Sequence, residues 1–240
     1  DEFDVVYQPV INAETGSLKG FEALVRWHHP NNGILYPKDF LAIAEDNGCI
    51  IAIGEKILDR VCSDIKRWKK PDLQISINVS ALEVNHHGFV ELITSHLAHY
   101  NVRGSQIELD INENIIMSDH LQTIEKLQQL SDLGISIAID DFGTGYSSLA
   151  QLKHFPVNKL KIDRSFIATI ESDRSDHKIV RAIIAMAHTL QITVVAEGIE
   201  NKHQLSLLKH SKCDIGQGYL FSRPVKIEQL KELSCNWNEL

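Results

Sequence analysis

Acidic side chains stand at the ends of several short apolar runs in this sequence. Asp140 and Asp141 are adjacent and end the run ISIAIDD, while Asp110 ends IELD. Glu197 ends TVVAE, and Glu22 lies inside the apolar segment FEAL. A carboxylate that leaves a buried run is costly to desolvate, and adjacent like charges repel each other. We therefore expect something positive to lie between these acids.

The polar residues at comparable positions almost all carry oxygen atoms that can bind a metal ion. Asn78 ends the run ISIN, Lys161 and Asp163 lie in KLKID, and Gln217 lies in the last apolar segment. A set with almost no His or Cys suits a hard cation such as Mg2+, Mn2+ or Ca2+ rather than zinc. Several carboxylates with two adjacent aspartates suit two metal ions about 3.5–4 Å apart and phosphoryl chemistry. We predict that a pair of divalent cations lies against the adjacent aspartates.

Alternating strand and helix patterns predict the scaffold that positions these residues. The strand candidates are short, rich in Ile and Val and almost continuously apolar, as strands covered on both faces are; they are FDVVYQPV, GFEALVRW, LQISINVS, QIELDI, ISIAIDD, KLKID, ITVVAE and CDIGQGYLF. Amphipathic helices are predicted between them at 38–46, 50–69, 86–99, 121–133, 179–190, 201–211 and 226–234. This alternation predicts an α/β fold, a (β/α)8 TIM-like barrel, with its chemistry at the carboxyl ends of the strands. Because few residues separate YQPV from FEALV, we expect one irregular or antiparallel strand near the N-terminus.

Composition limits the partners and the compartment. The chain has 240 residues and a formal charge of −8, which argues against broad binding to duplex nucleic acid or anionic membranes. Its four cysteines include no C-x-x-C pair, so a reducing cytosol fits best. The segment has no signal-peptide pattern and no apolar run near the ~18 residues of a membrane span, so we expect no membrane contact from it. We expect a single domain over residues 1–240, cytoplasmic, and part of a longer multidomain signalling protein that other segments could anchor to the inner membrane.

Six segments together resemble one family. FEALVRW, NVS, DDFGTGYSSL, KIDRSF, VVAEGIE and QGYLFSRP occur in the order found in the EAL domain family, the bacterial cyclic-di-GMP phosphodiesterases. The similarity runs from about Tyr7 to Pro224 and so covers almost the whole chain. The resemblance implies metal-dependent hydrolysis of cyclic di-GMP to linear pGpG in second-messenger signalling.

The resemblance also implies a role for individual residues. It implies two Mg2+ or Mn2+ ions, one held by Glu22, Asn78, Asp110 and Asp140, the other by Asp140, Asp141 and, directly or through water, Glu197. It implies that Glu22, Lys161 and Glu197 are catalytic, with Lys161 orienting the attacking water, and that Arg26 meets a substrate phosphate. It further implies that the pocket is shaped by Gln8, Asp163, Gln217 and Glu200, and that the mobile loop DFGTGYSS is anchored by Glu113. Calcium is expected to bind without supporting turnover, and a homodimer with sensory or GGDEF-type domains elsewhere in the full chain is the family expectation.

The chain departs from the family pattern in the segment DINE, residues 110–113. The first acid is Asp110 where the family usually has Glu, which retracts the carboxylate by about 1.5 Å. Asn112 replaces the usual Thr. The retraction could loosen one metal ion, because Mg2+ requires tight octahedral geometry. We expect an active enzyme; the alternative is a weak or inactive receptor domain that binds cyclic di-GMP and signals by conformation.

Plainer interpretations of the same residues stay open at this point. Asp140 and Asp141 could cap a strand end with both side chains solvated, and Glu22 could be a buried acid paired with Arg26. If the motifs were accidental, a barrel enzyme acting on another phosphodiester or a sugar phosphate would be the default. The paired histidines at 28–29 and 86–87 lack the spacing of a zinc site and are expected in loops and at the surface.

Overall fold

Eight strands close into a barrel in the computed structural model, which describes residues 2–68, 70–117, 121–144, 152–231 and 237. The strands are β1 (Phe3–Asn12), β2 (Leu18–His29), β3 (Gly33–Leu35), β4 (Gln74–Val79), β5 (Ile107–Asn112), β6 (Ser136–Phe142), β7 (Lys159–Ile162), β8 (Thr193–Ala196) and β9 (Ile215–Gln217). The barrel order is β1-β2-β4-β5-β6-β7-β8-β9, and β9 pairs back onto β1. The short strand β3 extends β2 as a hairpin outside the barrel. The predicted α/β barrel is confirmed.

Helices cover the outside of this barrel. They are α1 (Pro37–Asp46), α2 (Ile50–Trp68), α3 (Ala81–Asn85), α4 (Phe89–Tyr100), α5 (Glu113–Met117), α6 (Leu121–Asp132), α7 (Arg164–Thr169), α8 (Arg174–Thr189) and α9 (Lys202–His210), with 3-10 turns at Gly104–Gln106 and Ile227–Lys231. Helix α2 shows the pattern most clearly, because Ile53, Ile57, Val61 and Ile65 recur every four residues and are buried. Among the described residues, no helix is both long and apolar enough to cross a membrane.

The first strand is the antiparallel one that the sequence predicted. Strand β1 runs antiparallel to both β2 and β9, whereas the pairings from β2 through β4 to β9 are parallel. Only residues 13–17 connect β1 to β2. So short a connection can make a hairpin but cannot carry the crossover that a parallel pair needs. The carboxyl ends of the remaining seven barrel strands therefore meet at one rim.

Charged side chains fill part of the barrel interior. Along β5, Ile107, Leu109 and Ile111 are buried on one face, and Glu108 and Asp110 alternate with them on the other. At the lower level, Lys159 of β7 lies 2.6 Å from Glu108 and 2.6 Å from Gln74 of β4. At the upper level, Asp110 faces the rim where the strands end. Buried charged side chains need oppositely charged or hydrogen-bonding partners inside the barrel. The partners at the rim are the ones that a ligand could reach.

Several predicted element bounds are wrong, and one of them is the helix predicted at 179–190, which begins at Arg174. The helix predicted at 86–99 begins at Phe89, because Ser80 and Glu83 form a capping box that starts the separate short helix α3. The strand predicted at CDIGQGYLF is confined to Ile215–Gln217, since the chain then turns and Leu220 N–H bonds the carbonyl of Ile199. The helix predicted at 226–234 is a 3-10 turn over Ile227–Lys231, and its remainder lies outside the described residues.

Candidate active site

One lysine lies at the centre of the acids at the barrel rim. Lys161 Nζ lies 2.6 Å from Glu197 Oε1, 3.0 Å from Asp110 Oδ2, 3.5 Å from Asp140 Oδ1 and 3.7 Å from Glu22 Oε1. These five residues come from five different strands or strand ends, and Lys161 is almost fully buried. The structure thus brings together the acids that the sequence placed at equivalent strand ends.

Amide side chains fix Glu22 on the first parallel strand. Asn78 Nδ2 donates to Glu22 Oε1 at 2.8 Å, and Gln217 Nε2 donates to Glu22 Oε2 at 2.5 Å. Gln217 Nε2 also lies 3.1 Å from Gln8 Oε1, and Gln8 Nε2 donates to the carbonyl of Ser222 at 3.1 Å. Strand register supports this layer, because Gln8 and Glu22 are direct partners in the β1–β2 pair. Both oxygens of Glu22 accept hydrogen bonds, so the orientation of this carboxylate is fixed.

The adjacent aspartates occupy an irregular end of β6. Asp141 has a φ of 54°, in the left-handed region, and the β6–β7 register breaks between Ile139 and Phe142. Asp141 N–H donates to Asp140 Oδ1 at 3.0 Å, and Asn112 Nδ2 lies 3.4 Å from Asp141 Oδ2. Aspartate tolerates this backbone conformation better than most residues. The irregular strand end therefore lets two consecutive carboxylates line the same rim; regular alternation would send them to opposite faces.

Burial and like charge make these carboxylates costly to ionise. Burial raises the pKa of Asp110 to about 8, against the lowering effect of Lys161 and with a further rise from Glu108. Burial likewise raises the pKa of Asp141 to about 6, and Asp140 adds to the rise. The pKa of Glu197 is raised well above its usual range, also mainly by burial.

Lys161 keeps its proton in this environment. Burial works to lower its pKa, but the carboxylates of Asp110, Asp140 and Glu197 together raise it well above the ordinary value. One ammonium group therefore faces four carboxylates. Ionisation of all four acids would leave net negative charge beside this one ammonium group, and a bound cation would neutralise that charge.

The donor set fits hard divalent cations. It offers carboxylate and amide oxygens, the ligands that Mg2+ and Mn2+ prefer. Asp110 Oδ1 is buried and, among the described residues, has no hydrogen-bond partner. In the same described part, no three His, Cys, Asp or Glu side chains are arranged as a ready metal cage. Because the acids converge on Lys161 instead, cation binding would require some of them to turn from the ammonium group.

A cavity of about 590 Å³ opens over this ring. Its acidic side is lined by Glu22, Asp110, Asp140, Asp141, Asp163 and Glu197. Its apolar wall is formed by residues of β2, α1 and α2 that include Leu24, Leu41, Ile50 and Ile57, with Glu45 of α1 as an acidic neighbour. This size and this division between apolar and charged walls are typical of a small-molecule site.

The remaining predicted pocket residues differ in whether they line the cavity. Asp163 lines the cavity and also caps α7, because its Oδ1 accepts from Ser165 N–H at 3.0 Å. Arg26 Nη1 donates to the carbonyl of Val25 at 2.7 Å, and its guanidinium lies 4.9 Å from the ring centre of Tyr36, so it lies beside the cavity. Glu200 is exposed and does not line the cavity in the described part of the chain.

The predicted loop anchor contacts its loop. Glu113 Oε2 accepts from Gly143 N–H at 3.1 Å, just after the adjacent aspartates. Gly143 has a φ of 99°, and a Cβ there would meet Phe166 Cε2 at 2.9 Å, so only glycine fits. The rest of the loop from Gly145 onward, residues 145–151, lies outside the described residues.

Sequence reasoning missed several polar residues that line the cavity. Arg164 follows Asp163 directly, and Glu83 lines the cavity next to Gly54 of α2. The sequence signal for Glu83 was the capping box with Ser80, which indicates a helix start and says nothing of a cavity. Asn112 was seen only as a departure from the family pattern, although it contacts Asp141.

The chain is similar to known proteins over nearly its whole length. The family model for the EAL domain matches residues 1–224. The chain is 42% identical over 227 residues, 93% of its length, to the bifunctional diguanylate cyclase/cyclic di-GMP phosphodiesterase MucR of Pseudomonas aeruginosa. It is 40% identical over 235 residues, 97% of its length, to the cyclic di-GMP phosphodiesterase NbdA of the same organism. The chain spans 33% of the length of MucR and 30% of that of NbdA.

Solved structures give the same result. A MucR phosphodiesterase structure, a c-di-GMP complex, matches with a TM-score of 0.92 and 41% identity, covering 95% of this chain and 94% of that one. The EAL enzyme Bd1971, in its form with cAMP and cyclic di-GMP bound, matches with a TM-score of 0.93 and 35% identity. That match covers 97% of this chain and 65% of the Bd1971 chain.

Proposed function

The chain belongs to the EAL domain family, and on that premise we propose that it hydrolyses cyclic di-GMP, opening one phosphodiester bond to give linear pGpG. The observation that carries the proposal is the ring of four carboxylates around Lys161 at the floor of an open cavity. A ring with this excess of negative charge at a barrel rim suits a cation-assisted attack on a phosphodiester. The relatives named as cyclic di-GMP phosphodiesterases support the choice of substrate.

The proposal includes two divalent cations, Mg2+ or Mn2+. Glu22, Asn78, Asp110 and Asp140 would hold one ion, and Asp140, Asp141 and Glu197 would hold the other. When bound, such a pair lowers the pKa of a shared water and screens the phosphate charge. Asn78 and Gln217 keep the Glu22 carboxylate turned to the rim, because both donate to its oxygens. Asp140 would be a ligand in both sets.

Lys161 acts as a donor and as a fixed positive charge in this proposal. Its raised pKa keeps the ammonium protonated at neutral pH, so it does not serve as the general base. It can donate to the attacking oxygen and stabilise its negative charge. Arg26, beside the cavity, would meet a phosphate oxygen. The apolar wall around Leu41 and Ile57 would exclude water and contact a base of the dinucleotide.

A turnover assay tests this function. The purified protein is incubated with cyclic di-GMP and Mg2+ or Mn2+, and pGpG is followed by chromatography. We expect turnover with either ion, binding without turnover with Ca2+, and loss of turnover in Glu22→Ala. Glu14→Ala, at an exposed acid in the β1–β2 connection, is the matched control. Unchanged turnover in Glu22→Ala would refute the assigned site.

A receptor that binds cyclic di-GMP without cleaving it is the second candidate. One observation favours it: the shorter Asp110 side chain is drawn to Lys161 at 3.0 Å. In that case the assay gives no pGpG, while isothermal titration calorimetry still detects binding of cyclic di-GMP. A homodimer and sensory or GGDEF-type domains in the full-length protein are also proposed, from the family and from the length of the relatives.

A further inference from the structure

Asn112 contacts one of the adjacent aspartates from the neighbouring strand. It is the last residue of β5 and pairs in register with Asp140 of β6. Its Nδ2 lies 3.4 Å from Asp141 Oδ2, and its side chain lines the same cavity as the acids. The next residue, Glu113, holds Gly143 N–H at 3.1 Å. Asn112 therefore contacts the carboxylate of Asp141, and Glu113 holds the backbone of the segment that follows it.

The orientation of the Asn112 amide follows from its second contact. Asn112 Oδ1 accepts from Asn114 N–H at 3.0 Å, at the start of α5. A backbone N–H can only donate, so the oxygen end of the amide must face Asn114. The amide nitrogen is then left facing Asp141, where its two protons can only donate. The contact with Asp141 therefore uses the carboxyl oxygen Oδ2 as the acceptor.

Asp141 is a residue that needs such support. Its φ of 54° is uncommon for a residue with a side chain, and it is half-buried beside Asp140 and hydrogen-bonded to the Asp163 side chain. Backbone conformations of this kind persist only where surrounding contacts hold them. Among the described residues, Asn112 is a neutral donor aimed at this carboxylate. Capping of α5 alone would need only an oxygen acceptor at position 112, which Ser or Asp would supply equally well.

We propose that Asn112 is a positioning residue that holds the Asp141 carboxylate in the orientation that binds the second divalent cation. The proposal rests on the two-cation site proposed above. Partners that orient a metal ligand typically contribute 10- to 100-fold in metal affinity. Asn112 acts on the ion only through Asp141, so its loss should weaken one of two binding events.

Mn2+ titration of the metal-free protein tests this role without reference to turnover. Isothermal titration calorimetry should give two Mn2+ per wild-type chain. In Asn112→Ala, we expect one of the two affinities to fall about 10-fold or more, with the other within about twofold. Asn112→Ser retains an oxygen that can cap α5 but is too short to reach Asp141, so it should lose the same affinity. Asn114→Ala, which keeps its backbone N–H and replaces an exposed side chain, is the matched control and should bind as wild type.

Three outcomes would overturn the proposal. Unchanged affinities in Asn112→Ala would remove the role, and wild-type affinities in Asn112→Ser would reduce it to helix capping. A wild-type protein that takes up no Mn2+ would leave nothing to position. A double-mutant cycle adds a further requirement: in an Asp141→Ala background, Asn112→Ala should cause no additional loss. If two Mn2+ bind as expected but cyclic di-GMP is not cleaved, the proposed function fails and the positioning role stands.

Discussion

At the scale of single residues, the site is dominated by carboxylates that the protein buries at a cost. Four of them contact Lys161, yet the pKa of Asp110 is still raised to about 8, mainly by burial. In the metal-free chain, the positive charge of Lys161 does not offset the cost of burying the Asp110 carboxylate. The free energy of unfolding of the metal-free protein should therefore depend on pH through these acids.

The first prediction concerns that stability as a function of pH. Asp110 binds its proton more tightly in the folded state, with a pKa of about 8 against an ordinary 3.8, so unfolding releases a proton between these values. In EDTA, the free energy of unfolding should fall as pH rises from about 5 to 8, by at most about 1.4 kcal/mol per pH unit for this group. Lys161 adds no slope in this window, because its raised pKa keeps it charged throughout.

Urea denaturation at pH 5.5, 6.5, 7.5 and 8.5 measures the slope. Asp110→Asn should reduce the slope and leave the part due to Asp141 and Glu197, whose pKa values are also raised. Saturating Mn2+ should reverse the slope, because metal binding requires the ionised carboxylates. Asp46→Asn, at an exposed acid at the end of α1, should leave it unchanged. A metal-free protein whose stability rises steadily over this range would contradict the assigned burial effect.

The second prediction concerns the departure from the family pattern at position 110. Asp110→Glu lengthens the side chain by about 1.5 Å and lets the carboxylate pass Lys161 toward the cavity. We expect turnover of cyclic di-GMP equal to or higher than wild type, and Mn2+ affinity equal or tighter. Asp46→Glu is the matched control for the added methylene. A 10-fold loss of kcat in Asp110→Glu would mean that the neighbouring strands have adapted to the shorter acid.

At the scale of elements, the sequence predicted the parts whose pattern is local. The apolar runs ending in Asp110, Asp140 and Glu197 are strands as predicted, because a buried parallel strand leaves a continuous apolar trace. The short helices α3, α5 and α7 were missed, since five or six residues are too few to show a helical period. The contact between Asn112 and Asp141 depends on an irregular strand end, which no spacing in the sequence reveals.

The cavity wall contains another contact that the sequence does not reveal, and this contact gives the third prediction. Gly54 lies inside the 19-residue helix α2, where propensity alone favours alanine by about 1 kcal/mol. A Cβ at Gly54 would lie 1.8 Å from Glu83 Oε1, while Glu83 Oε2 holds Ser80 N–H at 2.8 Å. Gly54→Ala must therefore displace either the α3 cap or α2 itself. We expect a loss of about 1–2 kcal/mol in the free energy of unfolding by urea denaturation.

The stability effect of Gly54→Ala should change sign when Glu83 is removed, and this separates the clash with Glu83 from other effects of the substitution. In a Glu83→Ala background the carboxylate is absent, so the same substitution should stabilise the protein by up to about 1 kcal/mol. Equal effects of Gly54→Ala in the two backgrounds would show that Glu83 does not set the need for glycine.

At the scale of the whole molecule, the site depends on closure of the barrel by its antiparallel first strand. Strand β1 lies between β2 and β9, and Tyr7 exchanges two backbone hydrogen bonds with Val225, at 2.7 Å and 2.9 Å. The β1–β2 hairpin places Gln8 beside Glu22, and closure brings Gln217, which is far away in sequence, next to both. The outward neighbour of Gln8 should therefore affect the barrel without touching the chemistry.

Tyr7 is that neighbour, and its hydroxyl supplies the last prediction. Tyr7 is fully buried, and its hydroxyl donates at 2.8 Å to Asp64 of α2, which is also fully buried and is held by Arg60 at 2.9 Å. Tyr7→Phe should lower the free energy of unfolding by about 1–3 kcal/mol, because a hydrogen bond to a buried charge is lost. Tyr36→Phe, at a half-exposed tyrosine, should change stability by less than about 0.5 kcal/mol. Alternation along β1 turns Tyr7 away from Gln8, so kcat/KM of folded Tyr7→Phe should equal that of wild type; a loss of turnover without a loss of stability would mean that the first strand positions the site through Tyr7 and not through closure alone.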